Sequence, residues 1–225
     1  MTFQSNPPRF EPDPRPLPET PDLIRVRFDG DRLPEGMQSL PSTLANPAEL
    51  RFTGSVLQMA GRRRDADPNG PALIGRRLHH GDCAVIIEID AQPPAAGPAA
   101  GLVFLRAHGA GEALVISGDL SGGRRLELLE RRADGAPWRL AAGAMPAGVA
   151  DTGPLGLAIE VHGAARHFLF RDTTGDWRDF GQLATKAIVS DSAATDFIGF
   201  GVFVRRDCVT SADIASYTYV GLSDG

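Results

Sequence analysis

The sequence predicts an all-β fold, two antiparallel sheets packed face to face, and three observations predict it. Apolar residues recur with a period of two from Leu23 onward, the pattern of half-buried strands. Gly (26) and Pro (18) make up about a fifth of the 225 residues, against roughly 12% in average usage, which favours many turns over long helices. No window of useful length carries a 3.6-residue apolar period.

The elements follow in chain order. Residues 1–22 hold seven prolines, with Pro12, Pro14, Pro16 and Pro18 alternating; they read as an extended tail or linker that adds little to a core. The sandwich then occupies residues 23–225. Ile24, Val26 and Phe28 alternate with Arg25 and Arg27 up to the turn Asp29-Gly30-Asp31. Phe52, Gly54 and Val56 give a second alternating set. Cys83, Val85, Ile87 and Ile89 share one strand face, with Glu88 and Asp90 on the other. Apolar runs at Leu102–Leu105 and Leu114–Ile116 follow, then Leu126 and Leu128 among charges. Leu157, Ile159 and Val161 form a strand, Phe168 and Phe170 the next, and Leu183–Val189 offers a short helical turn. Ile198, Phe200, Val202 and Val204 line a late strand. In the last strand Ala215, Tyr217 and Tyr219 oppose Ile214, Ser216, Thr218 and Val220. About a dozen strands at this spacing suit a sandwich in which two inner faces meet.

Charge and cysteine usage narrow the partners. The net charge is −5, and 22 of 23 basic residues are arginine. The Arg pairs are spread among acids, so they read as solvated faces and ion pairs, with no field drawing nucleic acid or an anionic membrane. Cys83 and Cys208 lie far apart, and whether they pair depends on which strands are neighbours. Residues 1–22 have no apolar segment of the secretory kind, and no run approaches the ~18 residues of a membrane span. The expectation is a cytoplasmic protein with free thiols.

Three blocks stand in a particular order. The first is Leu73-Ile74-Gly75-Arg76-Arg77-Leu78-His79-His80 with Ala99-Ala100-Gly101-Leu102 after it. The second is Phe168-Leu169-Phe170, Asp172-Thr173-Thr174-Gly175-Asp176-Trp177 and Phe180-Gly181. The third is Phe197-Ile198-Gly199-Phe200-Gly201-Val202 with Ala212-Asp213-Ile214 and Tyr217-Thr218-Tyr219. Together with the opening Phe28-Asp29-Gly30-Asp31-Arg32-Leu33, they resemble the C-terminal concanavalin A-like domain of glycoside hydrolase family 43 β-xylosidases over about residues 23–222.

That resemblance implies a jelly-roll sandwich and an accessory role, because in that family the catalytic carboxylates belong to a separate N-terminal β-propeller. It makes a separately encoded glycosidase catalytic chain, a second copy of this chain, and a xylan- or arabinan-type oligosaccharide the candidate partners. It singles out Arg76, Arg77 and His80 for a concave sheet or a propeller interface, with a buried ion-pair role equally open for Arg76 and Arg77. The residues 62–71, which correspond to a family loop aimed at the propeller's active site, contain no aromatic residue. Their polar side chains Asp65, Asp67 and Asn69 remain interface candidates.

Independent chemistry has little support in the residues. Glycoside hydrolysis needs two carboxylates flanking the bond. Glu88 and Asp90 begin such a strand, but a third acid gives way to Pro93. An independent glycosidase is the alternative function, which Glu88→Gln would test. Adjacent His79 and His80 point to opposite strand faces and cannot easily share an ion. His162 and His167 flank a turn at Gly163 without an evident third ligand, so no zinc or other cofactor is expected. Asp65-Ala66-Asp67-Pro68-Asn69-Gly70 has the oxygen-rich start of a calcium loop without its distal Glu, which allows at most a weak structural calcium. Sugar binding needs flat rings and fixed polar groups. Trp138, Trp177, Tyr217 and Tyr219 are the rings available, with Trp138, after Gly135-Ala136-Pro137, expected to be the exposed one. A stand-alone lectin using Trp138 is the third function considered.

Overall fold

The computed structural model describes residues 23–40, 48–61, 71–78, 80–93, 97–106, 109–119, 121–132, 136–144, 149–184, 196–203 and 210–221. Within them lie fifteen strands, a few more than the alternation suggested, and no helix long and apolar enough to cross a membrane. Two antiparallel sheets face each other, as predicted. The first runs β13 (Trp177–Ala184), β12 (Ala165–Arg171), β11 (Leu155–His162), β6 (Asp82–Asp90), β15 (Ser211–Gly221), β4 (Val56–Gly61), β3 (Ala48–Thr53). β1 (Leu23–Arg27) pairs with the second half of β15, continuing past the end of β4. The second sheet runs β10 (Arg139–Ala144), β9 (Arg124–Arg131), β8 (Gly111–Gly118), β7 (Gly97–Leu105), β14 (Phe197–Phe203), β5 (Pro71–Arg77), β2 (Gln38–Ser39).

The alternating sets meet between the sheets. Val85, Ile87, Ile159, Phe168 and Tyr217 from the first sheet pack against Ile74, Leu102, Leu114, Leu128 and Phe200 from the second. Phe28 closes this core by meeting Phe200 edge-on, with ring centroids 6.0 Å apart. The second sheet is apolar on its other face too: Leu73, Val103, Val115, Leu129 and Phe203 are buried there, with Leu40 and Trp138 against them. Its strands therefore read as continuous apolar runs, because neither face is left to water.

Three details depart from the sequence reading. Gly54 is not in a strand: β3 and β4 form a hairpin in which Thr53 pairs with Val56, and Gly54 takes φ +65° in the two-residue turn. In β15 a bulge at Ala215 shifts the register against β6, so Ile214, Tyr217 and Tyr219 all point into the core. Leu183 belongs to β13; the rest of the anticipated helical turn lies outside the described residues.

Candidate functional site

Strand β5 leads from Pro71, at one end of the sandwich, to Arg77 at the other, about 20 Å away at ~3.3 Å per residue. Arg76, Arg77 and His80 belong to the Arg77 end. Asp65, Asp67 and Asn69 lie outside the described residues.

At the Arg76 end the space between the sheets is polar. Arg76 is in phase with Ala72 and Ile74, so β5 carries its guanidinium inward, where only 9% of the residue is exposed. Its Cζ lies 4.8 Å from the centroid of Tyr219. The Tyr219 hydroxyl is 2.8 Å from Nδ1 of half-buried His80; burial pushes the Cys83 pKa up to about 12, with Tyr219 opposing the shift. Across the gap, Arg166 of β12 lies 4.1 Å over the Phe104 ring and donates from Nη1 to the Gly163 carbonyl at 3.0 Å. Burial lowers the Arg166 pKa; Glu112 opposes that shift, Arg106 adds to it, and Asp196 opposes it. Arg106 in turn donates to Glu112 at 3.5 Å. Arg106, Glu112, Arg166 and Asp196 were not among the residues singled out from sequence. The signal existed: each is one step of the two-residue period beyond an inward apolar set, next to Phe104, Leu114, Phe168 and Ile198 respectively.

Three of the four aromatic candidates are buried. Tyr217 and Tyr219 are buried in the core, and the Tyr217 hydroxyl donates to the Ile198 carbonyl at 3.4 Å. Trp177 is buried on the outer face of the first sheet against Ala158, Leu169 and Ile86, with Arg171 over its ring at 4.9 Å. The expectation of an exposed Trp138 is corrected. It is half-buried, meets Phe203 edge-on at 5.6 Å, and lies under Arg131 at 5.2 Å. The apolar outer face of the second sheet draws the ring down. Of Arg76, Arg77 and His80, Arg77 is the exposed one.

The outer face of the first sheet holds the remaining charges. Glu88 accepts from Arg171 at 3.3 Å, and Asp90 accepts from Arg124, so both carboxylates of that strand are tied to guanidinium groups. The β11–β12 hairpin does bring His162 and His167 together, and Glu160 lies between them. Its Oε2 is 3.3 Å from His167 Nδ1 and 3.9 Å from His162 Nε2. Asp179 is 3.0 Å from the other His167 nitrogen and Asp82 is 3.6 Å from His162. Hydrogen bonds to Glu160 and then Asp179 raise the His167 pKa to about 9. Among the described residues, no group of three or more His, Cys, Asp or Glu has the geometry to hold a metal ion. At the far edge of the sheet, a groove of 540 Å³ opens over β3, β4 and the start of β15, lined by Glu49, Arg51, Gln58, Ser211 and Asp213.

Residues 25–219 match the family model of the β-xylosidase C-terminal concanavalin A-like domain. No curated protein sequence matches the chain. Among solved structures, a xylan β-1,4-xylosidase from Bacillus halodurans is 18% identical with a TM-score of 0.71, the match covering 91% of this chain and 40% of that one. A GH43B protein of a Bacteroides ovatus xyloglucan locus gives 18% identity and a TM-score of 0.68, covering 88% and 39%. The CBM2 module of an evolved Dit protein from Lactobacillus casei BL23 phage J-1 gives 10% identity and a TM-score of 0.55, covering 91% and 99%. At these identities the likeness shows the fold. The chain spans about two fifths of the length of the two larger proteins.

Proposed function

Since the chain belongs to the family of β-xylosidase C-terminal concanavalin A-like domains, we propose that it is a non-catalytic accessory sandwich that docks on a glycosidase catalytic chain. The observation that carries this reading is the family match over nearly the whole sandwich, coupled with solved relatives in which the matched part is about 40% of a longer chain. The tying of Glu88 and Asp90 to Arg171 and Arg124 supports a non-catalytic role, because hydrolysis needs one carboxylate free to donate a proton and another free to attack or act as base. The test is native co-purification of the tagged chain from its source cell. Recovery of a glycosidase in stoichiometric amount supports docking; recovery of the chain alone, as monomer or homo-oligomer, overturns it.

A second reading, weak binding of a xylan- or arabinan-type oligosaccharide, is favoured by the groove over β3, β4 and β15. Arg51, Gln58, Ser211 and Asp213 supply donors and acceptors of the kind that fix sugar hydroxyls. Titration with xylo- and arabino-oligosaccharides, repeated on Asp213→Ala, tests it. Binding that Asp213→Ala leaves untouched places the sugar elsewhere.

A further inference from the structure

Among the described residues, three guanidinium groups at the Arg76 end, Arg76, Arg106 and Arg166, face two carboxylates, Glu112 and Asp196, and all five residues are at least nine-tenths buried. Arg106 has Glu112 at 3.5 Å, and Arg166 has the Gly163 carbonyl at 3.0 Å and the fields of Glu112 and Asp196. Arg76 has neither. Among the described residues no oxygen accepts from it, its Nε is buried with no acceptor, and its contact is with the face of the Tyr219 ring. A ring face offsets only part of the cost of taking a guanidinium out of water. The five N–H donors of this planar fork match an oxyanion.

The surroundings fit an approach from outside. The turn Pro34–Met37 passes over Arg76, closed by a Met37 N–H to Pro34 carbonyl bond of 3.1 Å. The residue nearest Nη2 in that turn is Gly36, at φ +79°, where even a Cβ would stand 3.8 Å away. No side chain of residue 36 covers that side. His80 is half-buried and within hydrogen-bond distance of the Tyr219 hydroxyl, whose ring lies against the fork.

We propose that Arg76, with His80 and Tyr219 beside it, forms a receptor for one carboxylate brought from outside the chain. The carboxylate belongs either to an acidic side chain of a docked protein or to an acidic sugar. The site is separate from the groove and the strand carboxylates considered above, and stands or falls independently of the docking reading.

The test is thermal melting of the full chain in sodium acetate and in sodium chloride, at equal pH and ionic strength. Acetate at 100 mM is expected to raise the midpoint by about 3–6 °C over chloride, the shift for a ligand at tenfold its Kd in a domain of this size. Arg76→Met is expected to lose that shift without lowering the midpoint in chloride, because it removes a buried charge that has no partner. Arg76→Lys keeps a charge but loses the fork, and is expected to show at most half the shift. Equal shifts in the wild type and both variants overturn the proposal. So does a marked fall in the chloride midpoint of Arg76→Met, which would mean that the guanidinium already has its acceptor within the chain. Titration with N-acetylglutamate amide and with glucuronate then distinguishes the sources by which binds more tightly; binding of neither also overturns it.

Discussion

His167 stands between two carboxylates from different strands, Glu160 at 3.3 Å and Asp179 at 3.0 Å, while Glu160 also faces His162 and His162 faces Asp82. The flanking acids favour the imidazolium, so the folded pKa, about 9, lies above the ordinary 6.5. A raised pKa adds stability that is fully present below about pH 6.5 and is lost as pH rises toward 9. Stability by urea unfolding is therefore expected to fall between pH 6.5 and 9 by about 1 kcal/mol, the scale of a partly exposed pair. His167→Gln is expected to flatten that slope. A slope unchanged in the variant would assign it to another group. The pairing of His162 with His167 was legible from the turn at Gly163, but Glu160 was not, since its role depends on the face it shares with both. The other interior charges were missed for a different reason. Arg106, Glu112, Arg166 and Asp196 obey the alternation, but a charge one step past an apolar run reads as exposed until the opposing sheet is seen to extend over it.

Among the elements, β5 and β14 show how sheet geometry selects glycine. Gly75 and Gly199 are directly paired across the two strands. A Cβ on Gly199 would stand 2.1 Å from the Ile74 carbonyl oxygen and 2.6 Å from Gly75 Cα, both backbone atoms that cannot swing aside. Gly199→Ala is accordingly expected to destabilise by about 3 kcal/mol or more, at the upper end of overpacking costs, measured as a drop in the urea midpoint. A change under about 1 kcal/mol would mean the pair of strands separates easily. The sequence marked Phe197-Ile198-Gly199-Phe200-Gly201-Val202 as a strand because its large residues alternate with glycine. It did not mark the bulge at Ala215, where one extra residue brings Ile214 onto the face of Tyr217 and Tyr219. Simple alternation put Ile214 on the wrong side, because a bulge is defined by its partner strand and leaves little local signature.

At the scale of the molecule, Arg124 joins the sheets at the end opposite Arg76. It leaves β9 in phase with Leu126 and Leu128, donates to the Gly153 carbonyl at 2.7 Å and the Ala91 carbonyl at 2.6 Å, and pairs with Asp90 at the end of β6. Only 2% of the residue is exposed. Arg124→Met leaves these acceptors behind and is expected to cost about 3 kcal/mol, near the lower bound for breaking a buried pair because Asp90 is partly exposed. Chemical denaturation measures it, and a loss below about 1 kcal/mol would show that water replaces the guanidinium at little cost.

What the sequence by itself determined is the all-β class, the face of most strands, the hairpin turns and the family, all of which rest on local periodicity, turn chemistry and ordered short motifs. What the tertiary structure decided is which ends coincide. It set Arg76, His80 and Tyr219 together, buried Trp177, Tyr217 and Tyr219, and tied Glu88 and Asp90 to arginines. The physical reason is that a strand's period fixes which way a side chain points, whereas its partners come from strands distant in the chain whose pairing and register only the closed sandwich sets.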